Sequence, residues 1–480
     1  MAVETGNASG AHRALWFVYV MAFLRTFAGN AVGTIIPLYV RLHGSGDFVT
    51  SLVSSAYALV YLASPVLLGR VSDAKGRRKT IVGSLSFTFV DTAAYAVFWG
   101  LEEAISLTTI AGIFFTLRCF DGFWNGAYWP TLQSRISDER EAMPDPGEYE
   151  KCVRAYNLGW NAGILGSNAV LVFCSLGDEA ATLRNFFGVV LLAVAVLGVN
   201  LVVGVTRFRE VGDLRCVAPV GTDVAGPVAP SLVETLLEDG VGCGEGPAEG
   251  RDPPDPPAPL DEARLREVGV ALFLIFGFGF AAAQSNITLT NHLTAVNASA
   301  AWNLVAFVPL AKIARTGAQG LGSGFVKIPE DPRRRLGAAA ASIALVELAL
   351  AATVFAFPLM PPGGVLLLLA GQALLGVVSG HAYAISLADV IKTSGRTGGD
   401  GEKSNGKAGL FTGVYEAVLG AGFFFGQLVP GALTEVWPYH VPYLASAFVL
   451  ALVWLVARAS GTAGEREHSG SFLAPVGRAE

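Results

Sequence analysis

The sequence predicts an all-α polytopic membrane protein: twelve transmembrane helices arranged as two pseudo-symmetric six-helix bundles. Three observations carry that prediction. The chain of 480 residues is 52% hydrophobic and only 15% charged, with a mean hydropathy of +0.51. Soluble domains carry about a quarter charged residues, so the polar surface needed to hold this much chain in water is missing. Apolar stretches of about 20 residues, enough to cross roughly 30 Å of hydrocarbon, recur along the chain. One polar, proline-rich tract divides those stretches six and six.

The stretches fall near 14–39, 49–69, 80–100, 105–132, 155–175, 183–205, 268–290, 300–322, 336–357, 362–390, 408–430 and 438–457. Only helices and closed barrels satisfy every backbone group in lipid, and runs of this length fit helices. The first is too long, and continues too directly into further spans, to read as a cleaved signal peptide. Residues 206–266 are rich in Pro, Gly, Asp and Glu, with Asp252, Pro253, Pro254, Asp255, Pro256 and Pro257 in succession. That tract is too polar to enter lipid and too rich in proline to fold compactly. The expected organisation is an N-terminal bundle over 1–205, a cytoplasmic linker over 206–266, a C-terminal bundle over 267–460 and a cytoplasmic tail over 461–480.

Lys and Arg set the expected orientation. Of 33 such residues, 29 fall on the side shared by the termini and the even-numbered loops, if Lys312 and Arg315 are assigned to the cytoplasmic end of the eighth span. Arg41 and Arg184 fall on the opposite side, and Arg25 and Arg118 lie inside spans. Both termini are therefore expected in the cytoplasm of a multi-pass cell-membrane protein. The net charge of −6 argues against nucleic-acid binding, which needs a basic face. The five cysteines show no metal-ligand spacing and read as small hydrophobes. No metal or other cofactor is expected, and the chain is expected to act as a monomer.

An internal repeat supports two halves. At a constant offset of 254 residues, Gly122, Gly126, Gly159 and Gly166 fall on Gly376, Gly380, Gly413 and Gly420, and Asn30 falls on Gln284.

The loop between the second and third spans carries Gly69, Asp73, Gly76, Arg77 and Arg78 in the spacing Gly, three residues, Asp, two residues, Gly-Arg-Arg. In that pattern and in that loop the chain resembles the major facilitator superfamily. Arg118 with Gly122, and the series Gly159, Gly163 and Gly166, resemble that family's fourth- and fifth-span patterns. The corresponding loop of the second half, 322–335, is a degenerate echo with Pro332 where the Gly-Arg turn belongs. The resemblance implies transport of a small solute by alternating access, with a midplane site between two parallel repeats. It also implies a gate: Asp73 pairs with Arg77 in one conformation and parts from it in the other. A turn flanked by membrane-anchoring cations is the competing reading of the same residues.

Ionisable groups at membrane depth cost roughly 2.5–3.5 kcal/mol on insertion scales, so each needs a reason. Arg118, Asp121, Asn125 and Trp129 recur at three- and four-residue steps and share a face of the fourth span. Asn157 and Asn161 share a face of the fifth. Arg25 and Asn30 lie in the first span, Gln284 in the seventh, His381 in the tenth, and Tyr415 and Glu416 in the eleventh. The resemblance implies that these line a polar central cavity; interhelical hydrogen bonding is the alternative for the amides. Either Asp121 or Glu416 is the candidate for a coupling proton, with Arg118 tuning it. Asp91 and Glu347 sit mid-span in helices expected outside the cavity, and read as carboxyls packed between helices. The near-match to a phosphate-binding loop at 401–408 ends in Ala408 where Ser or Thr belongs and has no preceding strand, so it does not point to ATP. His381 has no carboxylate partner at helical spacing, and no enzymatic constellation is expected. A sensor or partner subunit on the same scaffold is the alternative to a transporter.

Overall fold

The computed structural model describes residues 15–101, 104–140, 146–176, 179–208, 262–297, 306–324, 332–357, 361–394 and 408–470. Among them there is no strand. The first to sixth spans are Trp16–Leu42, Asp47–Tyr61 continued by Ser64–Lys75, Arg77–Gly100, Leu107–Arg140, Pro146–Cys174 and Glu179–Arg207. The seventh to twelfth are Glu262–Asn297, Phe307–Gly324, Pro332–Ala356, Pro361–Ser394, Ala408–Thr434 and Val441–Gly470. Most of the linker read from the sequence and the loop at 401–407 lie outside the described residues. The seventh span begins at Glu262, inside the stretch read as linker, and the twelfth runs on to Gly470, into the stretch read as tail.

Nine of these spans are long and apolar enough to cross a membrane on length and composition alone. The fourth, fifth and eighth are not among them. Each carries buried polar or charged side chains on a face turned inward: Arg118, Asp121 and Asn125; Asn157 and Asn161; Arg315 with Lys312 beside it. These three helices lose apolar character because they line or adjoin the interior of the bundle, where polar groups find partners.

The second span is broken at Leu62–Ala63. Pro65 occupies the first turn of Ser64–Lys75. With no backbone N–H and a ring that clashes with the preceding turn, it cannot continue the helix above it. The break leaves Tyr61 as the last residue of the upper segment, buried and facing the second half. At the far end of the same span, Gly76 has φ +93° and makes the turn into the third span. A side chain there would be strained, which accounts for glycine in the Gly69–Arg78 motif.

Close helix approaches display the repeat and correct its register. A Cβ on Gly122 would strike the Tyr57 carbonyl, and one on Gly376 would strike the Arg315 carbonyl. Fourth-on-second and tenth-on-eighth packing thus agree at the 254-residue offset, and Leu107–Arg140 and Pro361–Ser394 begin and end in that register. The fifth and eleventh spans do not keep it. Gly159 and Gly163 pack on the Tyr19 and Phe23 carbonyls of the first span. The matching contacts on the seventh span, at the Phe276 and Phe280 carbonyls, are made by Gly422 and Gly426. Gly413 and Gly420 instead face Pro65 and Tyr61 of the second span, across the boundary between halves. The connection at 395–407 is longer than its counterpart at 141–145, and the extra residues slip the register. The same contacts pair Asn30 with Ile287 rather than with Gln284.

Candidate functional site

A cavity of about 270 Å³ lies between the two halves, walled by the first, second, fourth, fifth, seventh, eighth, tenth and eleventh spans. Its chemistry is built around one carboxylate. Arg25 Nη2 donates to Asp121 Oδ1 at 2.5 Å, and Arg118 Nη1 donates to Asp121 Oδ2 at 3.0 Å. Asn125 Nδ2 adds a bond to Asp121 Oδ1 at 2.8 Å. All four side chains are buried. The Arg118 guanidinium also lies over the Tyr57 ring, 4.8 Å from its centroid, where the π face attracts a cation. Helical spacing brings Arg118, Asp121 and Asn125 together; only the packing of the first span on the fourth brings Arg25, 96 positions away, to the same carboxylate.

A second carboxylate, Glu416, bridges the halves. Tyr61 donates its hydroxyl to Glu416 Oε2 at 2.7 Å, and Gln133 Nε2 donates to Oε1 at 2.6 Å. Both donors belong to the first half and both are neutral. Nearby, Trp160 and Tyr383 stack across the same boundary, centroids 6.0 Å apart and planes within 5°.

The sequence reading put Lys312 and Arg315 at a cytoplasmic helix end. The structure places both in the cavity wall instead. Lys312 Nζ donates to Thr34 Oγ1 of the first span at 2.8 Å, and Arg315 Nη1 donates to the Ala282 carbonyl of the seventh at 2.8 Å. Removing them from the cytoplasmic tally leaves the asymmetry of the remaining cations intact. Arg315 has 9% of its surface exposed. In a span whose apolar limits are blurred, a cation facing the interior is indistinguishable in sequence from an anchoring one. Only the neighbouring helices show that it faces inward.

Of the residues singled out in the sequence, Arg25, Asn30, Arg118, Asp121, Asn125 and Glu416 line this cavity. Asn30 Nδ2 donates to Ser167 Oγ at 2.8 Å, tying the first span to the fifth. Asn157 and Asn161 are buried on the fifth span but are not among the lining residues; Asn161 Nδ2 donates to the Asn157 carbonyl. Gln284 is wholly buried and donates to Thr288 Oγ1 within its own helix. Tyr415 backs the wall: its ring meets Tyr383 edge-on and its hydroxyl lies 3.3 Å from Ser386 Oγ. His381 is half-buried on the tenth span and is not among the residues that line the cavity. Asp91 is buried with Oδ2 lacking a hydrogen-bond partner, and Glu347 is wholly buried with neither oxygen partnered among the described residues.

The two ends of the cavity differ. At the end bearing the 43–46 and 435–440 turns, the halves are tied together. Arg41 pairs with Asp47 at 2.8 Å and reaches Thr294 Oγ1 at 3.4 Å. Tyr439 donates its hydroxyl to Asp47 Oδ2 at 3.0 Å, and the Phe48 N–H donates to Glu435 Oε1 at 2.9 Å. Tyr439 lies outside the spans; burial, then the neighbouring Asp47 charge, push its phenol up to about 12, so it stays a donor at physiological pH. At the opposite end sits the Gly69–Arg78 motif. Asp73 and Arg77 stand 3.9 Å apart there, Gly69 is buried, and Arg78 donates to the Val205 carbonyl.

Two helical halves closing on a buried, charged cavity define a membrane carrier architecture. The model of the Major Facilitator Superfamily matches residues 18–399, and the chain belongs to that family. Its activity therefore lies in membrane transport. Among solved structures, the chain is similar to the human organic anion transporter MFSD10 (TETRAN), with 16% identity and a TM-score of 0.56, over 93% of this chain and 99% of that one. It is similar as well to the nucleoside transporter NupG, with 14% identity and a TM-score of 0.56, over 93% of this chain and 98% of that one. At such identities the likeness is one of fold. No curated protein sequence matches the chain.

Proposed function

We propose that this protein is a secondary active transporter that moves a small solute by alternating access, coupled to protons through Glu416. The observation that carries the reading is a polar cavity walled by both halves and tied across at one end by the Arg41–Asp47–Tyr439 and Phe48–Glu435 contacts. Rocking of one half against the other would break those contacts and expose the cavity to that side. Asp73 and Arg77 would act at the opposite mouth, with both termini on that cytoplasmic side of the cell membrane and a single chain as the working unit.

Glu416 suits a proton carrier better than Asp121. Protonating Asp121 would sacrifice ion pairs to two arginines. Glu416 is held by two neutral donors, so taking a proton costs it no ion pair. Because both donors come from the other half, its protonation is linked to the relative position of the halves. The sensor reading requires no movement of solute, and flux decides between them. In proteoliposomes, Glu416→Gln is expected to lower accumulation driven by a pH gradient at least about tenfold relative to downhill flux of the same variant. Full gradient-driven accumulation by Glu416→Gln would remove proton coupling from this residue. Absence of flux across a broad solute panel by the unaltered protein would favour the sensor.

A further inference from the structure

Four cations line the cavity, Arg25, Arg118, Lys312 and Arg315, against two carboxylates, Asp121 and Glu416. The imbalance is localised. Asp121 already accepts from both Arg25 and Arg118. Glu416 faces Tyr61 and Gln133. Lys312 and Arg315 make no ion pair among the described residues; their bonds go to a threonine hydroxyl and a backbone carbonyl. Both lie within electrostatic reach of one another, and Lys312 also of Arg118. Glu347, within reach of Arg315 from the ninth span, is outside the cavity wall and has no hydrogen-bond partner among the described residues. Glu347 thus offsets Arg315 from behind the wall, whereas the charged neighbours of Lys312 are the cations Arg315 and Arg118. Like charges gathered in a low-dielectric interior are unfavourable, and an anion bound in the cavity relieves that.

We infer that the transported solute is a small organic anion whose charged group binds between Lys312 and Arg315, an inference that rests on the transporter reading above. The rest of the wall suits an organic body. Tyr57, Trp160, Phe278, Tyr383 and Phe423 offer aromatic and apolar surface in the wall of the same cavity. A ring or short chain bearing one carboxylate or sulfonate, with a neutral or weakly polar remainder, satisfies both parts. Lys312 reaches the first half through Thr34, so an anion that draws it away alters a contact between the halves. Solute binding is in this way joined to the movement that carries it.

The test uses purified full-length protein and four small probes: benzoate, glutarate, benzamide and benzylamine. Thermal unfolding is measured with each at millimolar concentration, and flux of the same compounds is measured in proteoliposomes. At least one of the two anions is expected to raise the melting temperature, with benzamide and benzylamine giving no comparable rise. Lys312→Gln and Arg315→Gln are each expected to weaken the anion's protection at least about tenfold, and Lys312→Arg by less than about threefold. Protection by neither anion, equal protection by benzamide, or undiminished protection in Lys312→Gln overturns the inference. Should the glutamine variants fail to fold, benzoate against benzamide on the unaltered protein still decides, since the two share a ring and differ in charge. Flux of benzamide or benzylamine without anion protection would sink the anion and keep the transporter. Anion protection without flux of any probe would keep the site and sink the transporter.

Discussion

Asp121 is the residue whose loss the structure makes most costly. It is the only carboxylate within ion-pair distance of Arg25 and of Arg118 among the described residues, at 2.5 and 3.0 Å. Its side chain is 6% exposed and theirs 3% and 8%, so water replaces little if it goes. At an effective dielectric constant of about 20, each contact represents roughly 5–7 kcal/mol of gross Coulomb attraction. Desolvation offsets much of that while the pairs are intact. Removing the carboxylate leaves the desolvation of both cations uncompensated, and breaking one buried pair typically costs about 3–5 kcal/mol. Asp91 lies within electrostatic reach of both guanidinium groups but at ion-pair distance from neither among the described residues, so it offsets only part of the loss. Asp121→Asn should therefore destabilise the protein by at least about 3 kcal/mol, read as a large drop in melting temperature in detergent. Replacing Arg25 with Met in the same chain should recover part of the loss, because one stranded charge is then gone. A drop equivalent to less than about 1 kcal/mol, or a double variant whose losses simply add, would refute the argument that the three side chains act as one unit.

Three further outcomes follow from the packing and from the tied end of the cavity. Gly122→Val would drive side-chain atoms into the Tyr57 backbone, and Gly376→Val into that of Arg315. Each should cost about 3 kcal/mol or more and collapse the monodisperse peak in size-exclusion chromatography, whereas Gly83→Ala, with nothing within 4 Å, should leave it unchanged. Tyr439→Phe removes a hydrogen bond to a charged group between the halves, worth about 1.5–3 kcal/mol. In a background without the native cysteines, a cysteine at Thr34 should then react about tenfold or more faster with an impermeant maleimide applied from that side. An unchanged rate would mean that this contact does not hold that end shut. Asp73→Asn should leave the melting temperature within about 1 kcal/mol equivalent of the parent, since Asp73 and Arg77 stand 3.9 Å apart and partly exposed, yet slow flux. A large loss of stability would make the motif a structural clamp.

Much of this protein is legible in its sequence because the bilayer imposes simple demands. A span must be about 20 apolar residues and must satisfy its own backbone, so length, hydropathy and breaks such as 206–266 lay out the helices directly. Helical periodicity is local as well, and it put Arg118, Asp121 and Asn125 on one face. The Gly69–Arg78 motif is contiguous, and its turn at Gly76 has the left-handed φ that only glycine adopts readily. What stayed hidden depends on which helix meets which. Arg25 joins Asp121 across 96 positions, and Glu416 meets Tyr61 and Gln133 across 355 and 283. The 254-residue repeat held within the fourth and tenth spans and slipped in the next pair, because the connection between two helices can lengthen in sequence without disturbing either helix. Lys312 and Arg315 show the limit most plainly. Sequence fixes that two cations lie in the eighth span, but a cation at a helix end and one in a cavity wall differ only in their neighbours. Composition and periodicity determined an all-helical, multi-pass architecture and one charged face. The tertiary packing alone decided which charges have partners, because burial and charge balance are properties of the whole bundle and not of any one helix.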